Sequence, residues 1–118
     1  RLENEEGISK FIAELVDRYG KLPHQIYNLI EGLRIRWKCK ELGFERFSLK
    51  DNKMRCFFIS NPSSSYFEGP VFNHIMQYVN LHGKQKQWTF KQTPKHLILI
   101  RENVRSLKGA RLAMEEVE

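Results

Sequence analysis

Gly43-Phe-Glu-Arg-Phe-Ser-Leu-Lys-Asp-Asn-Lys-Met-Arg-Cys-Phe-Phe58 is the stretch in which the hydrophobic rhythm of the chain changes. Before it, apolar residues recur every three or four positions, as on one face of a helix. Within it, Phe47 and Leu49 alternate with polar residues, and so do Met54, Cys56 and Phe58, with Asp51-Asn52 between the two runs. Alternation with period two on both sides of a turn signal predicts a β-hairpin.

Upstream, Ile8, Phe11, Ile12, Leu15, Val16 and Tyr19 form an amphipathic stripe, with Lys10, Glu14, Asp17 and Arg18 opposite. Gly20 supplies a left-handed stop, and Pro23 fits the first position of a second helix. In that helix Ile26, Leu29, Ile30, Leu33 and Trp37 share one face up to Leu42-Gly43. The short Gly20–Leu22 link makes the two helices a hairpin.

Downstream, Asn61–Ser65 is a polar loop. Pro70 opens a third helix with Phe72, Ile75, Met76 and Val79 buried, ending at Gly83. Trp88 and Phe90 alternate, Thr93-Pro94 turns the chain, and Leu97–Ile100 is an apolar strand suited to being covered on both faces. Asn103 is the expected N-cap of a last helix lined by Leu107, Ala110, Met114 and Val117. The order ααββαββα, with strands in close pairs, predicts an α+β fold: a helical hairpin followed by ββαββα, with a mainly antiparallel four-stranded sheet packed with helices.

At 118 residues with 41% hydrophobic content, the chain is expected to be one domain spanning 1–118 with one core. It begins at Arg1 and carries neither an apolar run near the ~20 residues of a membrane helix nor a signal-peptide core. The expectation is a cytoplasmic piece of a longer protein, with no membrane partner. Cys39 and Cys56 lie in apolar surroundings and read as small buried hydrophobes rather than a disulfide.

The formal charge of +6 points to an acidic partner, nucleic acid being the obvious one. The basic residues are nevertheless spread along the chain among 14 acidic ones, the pattern of solvated helix faces, so DNA binding is expected to be weak and lost by physiological salt. Arg34, Arg36, Lys38 and Lys40 around Trp37 are the candidates for a basic face, with Trp37 itself assigned to the core by its helical phase.

Catalytic chemistry finds no footing in these residues. Phosphate cradles need GxxxxGK[ST] or GxGxxG, and His82-Gly83-Lys84 is the nearest approach. His24, His74, His82 and His96 are scattered without zinc-ligand spacing, and no GxSxG elbow is present. No catalytic, cofactor or metal residue is assigned. Glu14 and Asp17 stand at i, i+3 on the polar side of the first helix, where Lys10 and Arg18 could pair with Glu14.

Glu14-Leu-Val-Asp-Arg-Tyr-Gly-Lys-Leu-Pro23, followed by Asn28-Leu29-Ile30 and Leu42-Gly43, resembles the E-L-x-D-R-[FY]-G-x-L-P signature of the C-terminal domain of bacterial transcription-repair coupling factors. The resemblance is strong over the first third and weaker beyond. Tyr19 stands where Phe is commoner, and Lys91–His96 departs from the pattern. In the motif Gly20, Leu22 and Pro23 hold the helix stop, turn and restart.

The resemblance implies a regulatory domain of a larger ATP-driven DNA translocase that removes stalled RNA polymerase at lesions and recruits UvrA for nucleotide excision repair. It implies an autoinhibitory clamp that covers the UvrA-binding surface of an N-terminal UvrB-like module in the same chain, with Glu14, Asp17 and Arg18 at the intramolecular interface. ATP and Mg would then belong to the translocase module. The other reading of the residues is a small basic nucleic-acid-binding domain. Without a phosphate loop the 118-residue chain is expected to neither bind nor hydrolyse ATP; stoichiometric binding in a calorimetric titration would contradict this.

Overall fold

The computed structural model describes residues 3–118. Helix α1 (Glu5–Tyr19) begins where the Asn4 Oδ1 accepts the Gly7 N–H at 2.8 Å, with Glu5 and Glu6 in its first turn and Arg18 in its last, both favourable to the helix dipole. It stops at Gly20, whose φ of 77° and ψ of −149° fall in a region essentially reserved for glycine rather than in the expected left-handed helical well. Helix α2 (His24–Leu42) starts one residue later than expected: Pro23 is its N-cap, with φ −69° and ψ 154°. Gly43, at φ 86° and ψ 25°, ends it in the left-handed conformation and donates its N–H to the Cys39 carbonyl at 3.0 Å.

Strands β1 (Phe44–Lys50) and β2 (Lys53–Phe58) form the first hairpin across Asp51 and Asn52. Their φ values of 54° and 59° are those of the tight turn whose twist matches paired strands. A 3-10 turn (Ser65–Glu68) leads into helix α3 (Pro70–Lys86). Strands β3 (Trp88–Gln92) and β4 (Leu97–Glu102) make the second hairpin, and helix α4 (Leu107–Glu116) closes the order. β2 pairs with β4, giving one fully antiparallel sheet in the order β1-β2-β4-β3. The expected α+β fold with its four-stranded antiparallel sheet is therefore what forms.

The core lies on one face of this sheet. Met54, Cys56, Phe58, Leu99 and Trp88 meet Ile35, Cys39 and Leu42 of α2, Ile75 and Val79 of α3, Ala110, Ala113 and Met114 of α4, and Val117 just after it. Phe58 is its aromatic hub, with Phe44 at 5.1 Å and Phe72 at 5.3 Å edge-on. Both cysteines are free and buried, and burial raises the Cys39 thiol to about 11 and Cys56 well above the ordinary range.

Several local expectations are corrected. The core stripe of α2 is Ile35, Cys39 and Leu42, whereas Leu29 is 72% exposed and Trp37, half-buried, stands outside the core. Helix α2 carries apolar residues on more than one side, and the strongest-looking stripe was not the one the sheet covers. Helix α3 runs through Gly83, where a Cβ would meet the Trp88 carbonyl oxygen at 2.9 Å, and ends at Gln87 with φ 66°. The N-cap of α4 is Ser106, whose Oγ accepts the Gly109 N–H at 2.9 Å; Asn103 instead donates to the Gln87 side chain. Strand β4, by contrast, is buried on both sides as expected, Leu99 within the helix-covered core and Ile98 and Ile100 outside it.

Beyond the apolar contact of α2, charge ties the helical hairpin to this body. Glu31, 8% exposed, accepts Arg34 Nη1 at 2.5 Å and Arg111 Nε of α4 at 2.7 Å, while Arg34 Nε reaches Glu5 of α1 at 2.5 Å. Burial alone would raise the Glu31 carboxyl, but the hydrogen bonds and charges of Arg111 and Arg34 outweigh it and hold the group below its ordinary range. Ile8, Leu22 and Ile30 are buried separately from the main core on α1, the link and α2. The result is elongated, 48 × 29 × 25 Å, with a radius of gyration of 16.1 Å against about 13.5 Å for a compact chain of this length.

Two measurements test this account. A Cβ on Gly43 would lie 2.3 Å from the Tyr66 ring, whose hydroxyl donates to the Leu42 carbonyl, so Gly43→Ala meets both a backbone cost and a clash. It should lower unfolding stability by ~2–4 kcal/mol, whereas Gly32→Ala, in open space within α2, should raise it by ~0.5–1 kcal/mol in denaturant titrations. Glu31→Gln removes the charge between Arg34 and Arg111, which keep only Glu5 and Glu115, and should cost about 2 kcal/mol at neutral pH. Because the folded carboxyl lies below its ordinary 4.5, that advantage of the wild type is complete above this pH and disappears as pH falls through the folded value; a gap between the two proteins that persists in strong acid would contradict the assignment.

Candidate functional site

A site on this chain has to be built from what the fold leaves uncovered, and α1 is the element with the most. Of its apolar stripe Ile8 is fully buried and Ile12 and Leu15 are half-buried, while Phe11, Val16 and Tyr19 are 38%, 41% and 67% exposed. Tyr27 and Leu29 at the start of α2 are exposed as well. The stripe predicted from periodicity is real, but the body of the domain covers only part of it.

Glu14, Asp17 and Arg18 stand exposed on the same helix and, with Phe11 and Leu15, line a shallow depression of about 330 Å³. Among the described residues neither Glu14 nor Asp17 makes a salt bridge, so the intrahelical pairs to Lys10 and Arg18 that the spacing allows are not formed. The Arg18 guanidinium lies over the Tyr19 ring at 5.9 Å instead. Gly20, Leu22 and Pro23 sit directly below as stop, buried anchor and helix cap. Two unpaired carboxylates beside a half-covered phenylalanine make a surface suited to a partner that offers arginines around an apolar spot.

The four basic candidates of α2 are separated by the fold. Arg34 is held by Glu5 and Glu31, and Lys38 by both carboxylate oxygens of Glu118 at 2.8 Å, with Glu115 at 3.7 Å. Arg36 and Lys40 are exposed. The arrangement of Arg34 and Lys38 is that of ion pairs between helices, not of a free cationic stripe. Glu31 and Arg111, which organise these pairs, were not singled out in the sequence; the one available signal is a carboxylate lodged between Ile30 and Leu33 in an apolar phase.

No group of three or more His, Cys, Asp or Glu that could hold a metal ion occurs among the described residues, and no helix there is long and apolar enough to cross a membrane. His24 starts α2, His74 and His82 lie on α3, and His96 follows the turn between β3 and β4, where its Nε2 lies 3.2 Å from Glu45.

Comparison with known proteins fits the placement of the motif. The family model for the TRCF domain matches residues 1–68, which contain α1, α2 and the first hairpin. Transcription-repair-coupling factors of Rickettsia typhi and Rickettsia prowazekii are 29% and 27% identical to the chain over 84 residues, and that of Rickettsia conorii is 27% identical. These 84 residues are 71% of this chain but 7% of each relative's length. No solved structure gives a significant match. Since the family model accounts for more than half of its residues, the chain belongs to the TRCF domain family.

Proposed function

We propose that this TRCF domain is a regulatory module of a larger transcription-repair coupling factor, and that α1 is its docking helix. The observation that carries the proposal is the exposed, unpaired couple Glu14 and Asp17 beside Phe11 on a helix only partly covered by its own domain. The occupant we assign is the N-terminal UvrB-like module of the same chain, which meets these carboxylates with arginines and whose UvrA-binding surface is thereby masked. The parent would be an ATP- and Mg-dependent DNA translocase acting on stalled RNA polymerase; this domain would add restraint rather than catalysis.

Energetics support a reversible clamp. An ion pair at a wet rim contributes about 1 kcal/mol or less, whereas stripping one partner from a desolvated pair costs roughly 2–5 kcal/mol. Two carboxylates around one apolar contact thus place the closed state within reach of a competing ligand, and the coupling is reciprocal: a ligand that raises UvrA affinity by opening the clamp is itself bound more tightly, by the same factor, when UvrA is bound.

Glu14→Arg with Asp17→Arg in the full-length protein should raise affinity for UvrA at least about tenfold, equivalent to ~1.4 kcal/mol of lost self-inhibition. Circular dichroism of the 118-residue chain carrying both changes should be unaltered, since both side chains are exposed. Unchanged UvrA affinity in the double variant, alongside an increase on deleting the whole domain, would keep the clamp and remove these carboxylates from it.

A further inference from the structure

The three helices that complete the core all pack on one face of the sheet, so the opposite face is left without a covering element among the described residues. Strand alternation and register define what that face carries. Its outward positions form cross-strand rows: Arg46, Phe57, Ile98 and Lys91 in one, and Ser48, Arg55, Ile100 and Thr89 in the next. A third row at the hairpin end holds Lys50, Lys53 and Glu102.

Five basic residues from three strands, β1, β2 and β3, thus share one surface. Lys53 has a partner, Glu102 at 3.5 Å, and Glu45 at the opposite end is engaged by His96 and by the Ser60 N–H. Arg46, Lys50, Arg55 and Lys91 make no salt bridge among the described residues. Lys50 lies directly opposite Lys53, a like-charge pairing that costs sheet stability unless an anion screens it. In the middle of this cationic rim the half-buried Phe57 ring is the accessible apolar centre, with Ile98 and Ile100 packed beneath their neighbours beside it. The Arg46 guanidinium lies 4.8 Å over that ring and the His96 ring meets it edge-on at 5.4 Å.

We propose that the open sheet face is a binding platform for single-stranded nucleic acid. Phosphates would lie along Arg46, Arg55, Lys50 and Lys91, and a base would stack at Phe57, the combination of cationic track and aromatic platform that single strands require. Charge selects a polyanion, and the shape selects an unpaired strand: reading a duplex requires a helix or ribbon to enter a groove, and the packed helices lie on the other side of the sheet. An acidic peptide would use the charges but would have no need of the aromatic and apolar centre. The platform involves strands β1 to β4 and is separate from the α1 surface assigned to the clamp.

The test is fluorescence anisotropy of a labelled oligothymidylate with the 118-residue chain, between about 50 and 200 mM salt. Arg46→Glu, Arg55→Glu and Lys91→Glu together take the formal charge from +6 to zero, since each reversal removes two charges; so do Lys21→Glu, Lys84→Glu and Lys108→Glu, all exposed positions away from the face. The first set should weaken binding at low salt at least about tenfold and lower the magnitude of the log-log salt slope by roughly 2, the second set less than about threefold. Phe57→Ala should weaken it about fivefold or more with little change in slope. Circular dichroism and melting of each variant separate lost binding from lost folding, and Phe57→Leu is a second probe that keeps the apolar volume while removing the ring. Absent binding at low salt, equal losses in the two charge-reversal sets, tighter binding to duplex than to single strand, or equal competition by polyglutamate would each overturn the proposal.

Discussion

A carboxylate removed from water has to be met by cations or be neutralised, and Glu31 is the point where this chain faces that demand. Its two oxygens are taken by Arg34 from one turn along α2 and by Arg111 from α4, and Arg34 carries the chain of charge on to Glu5 at the start of α1. The junction thereby links α1 to α2 and α4, which also share the apolar core. Directional hydrogen bonds to a buried charge specify geometry more sharply than apolar contact does, at the cost of desolvation that packed hydrophobes would avoid. This junction, together with the buried Ile8, Leu22 and Ile30, sets the orientation of α1 and with it the direction in which Glu14 and Asp17 point.

A second constraint is the one-sidedness of the sheet. With α2, α3 and α4 all on the Met54-Cys56-Phe58 face, each strand divides its residues between a dry side and an open side. Strand β4 shows the consequence. Arg101 points inward, where it bonds Glu116 at 2.8 Å and lies over the Trp88 ring, while its neighbours Ile100 and Glu102 point outward. The inner arginine is consumed by structure, whereas of the outer basic residues only Lys53 has an ion-pair partner among the described residues. Helix surface and sheet surface therefore present opposite characters to solvent, an acidic couple on α1 and a cationic field on the strands.

Much of the fold was legible before any coordinates. The change of period at Gly43 marks the passage from helix to strand, Asp51-Asn52 adopts the tight turn, Pro70 opens α3, and the two close strand pairs become the two hairpins. These features are local: glycine, proline and Asx residues restrict the backbone wherever they occur. Helix boundaries set by tertiary approach were less legible. Gly83 looked like a stop because glycine often is one, yet its lack of a side chain serves the passage of the Trp88 carbonyl. Asn103 was a sound cap by composition, but Ser106 is placed where the first turn of α4 opens.

Of the candidate site, the sequence alone determined the content and left the exposure undecided. The motif around Glu14, Asp17 and Arg18, its stop at Gly20 and its restart at Pro23 follow from residue identity and spacing, because helical phase and glycine or proline geometry act within a few residues. Whether Phe11, Val16 and Tyr19 are covered, whether Arg34 and Lys38 are free, and whether Arg46, Arg55 and Lys91 ever meet are questions of residues far apart in the chain. Periodicity says that a face is apolar or charged but not what lies against it, since burial and charge pairing are properties of two surfaces. Those answers came from the β2–β4 pairing, which brings the two hairpins into one sheet, and from the Glu31–Arg111 contact, which docks α4 on α2.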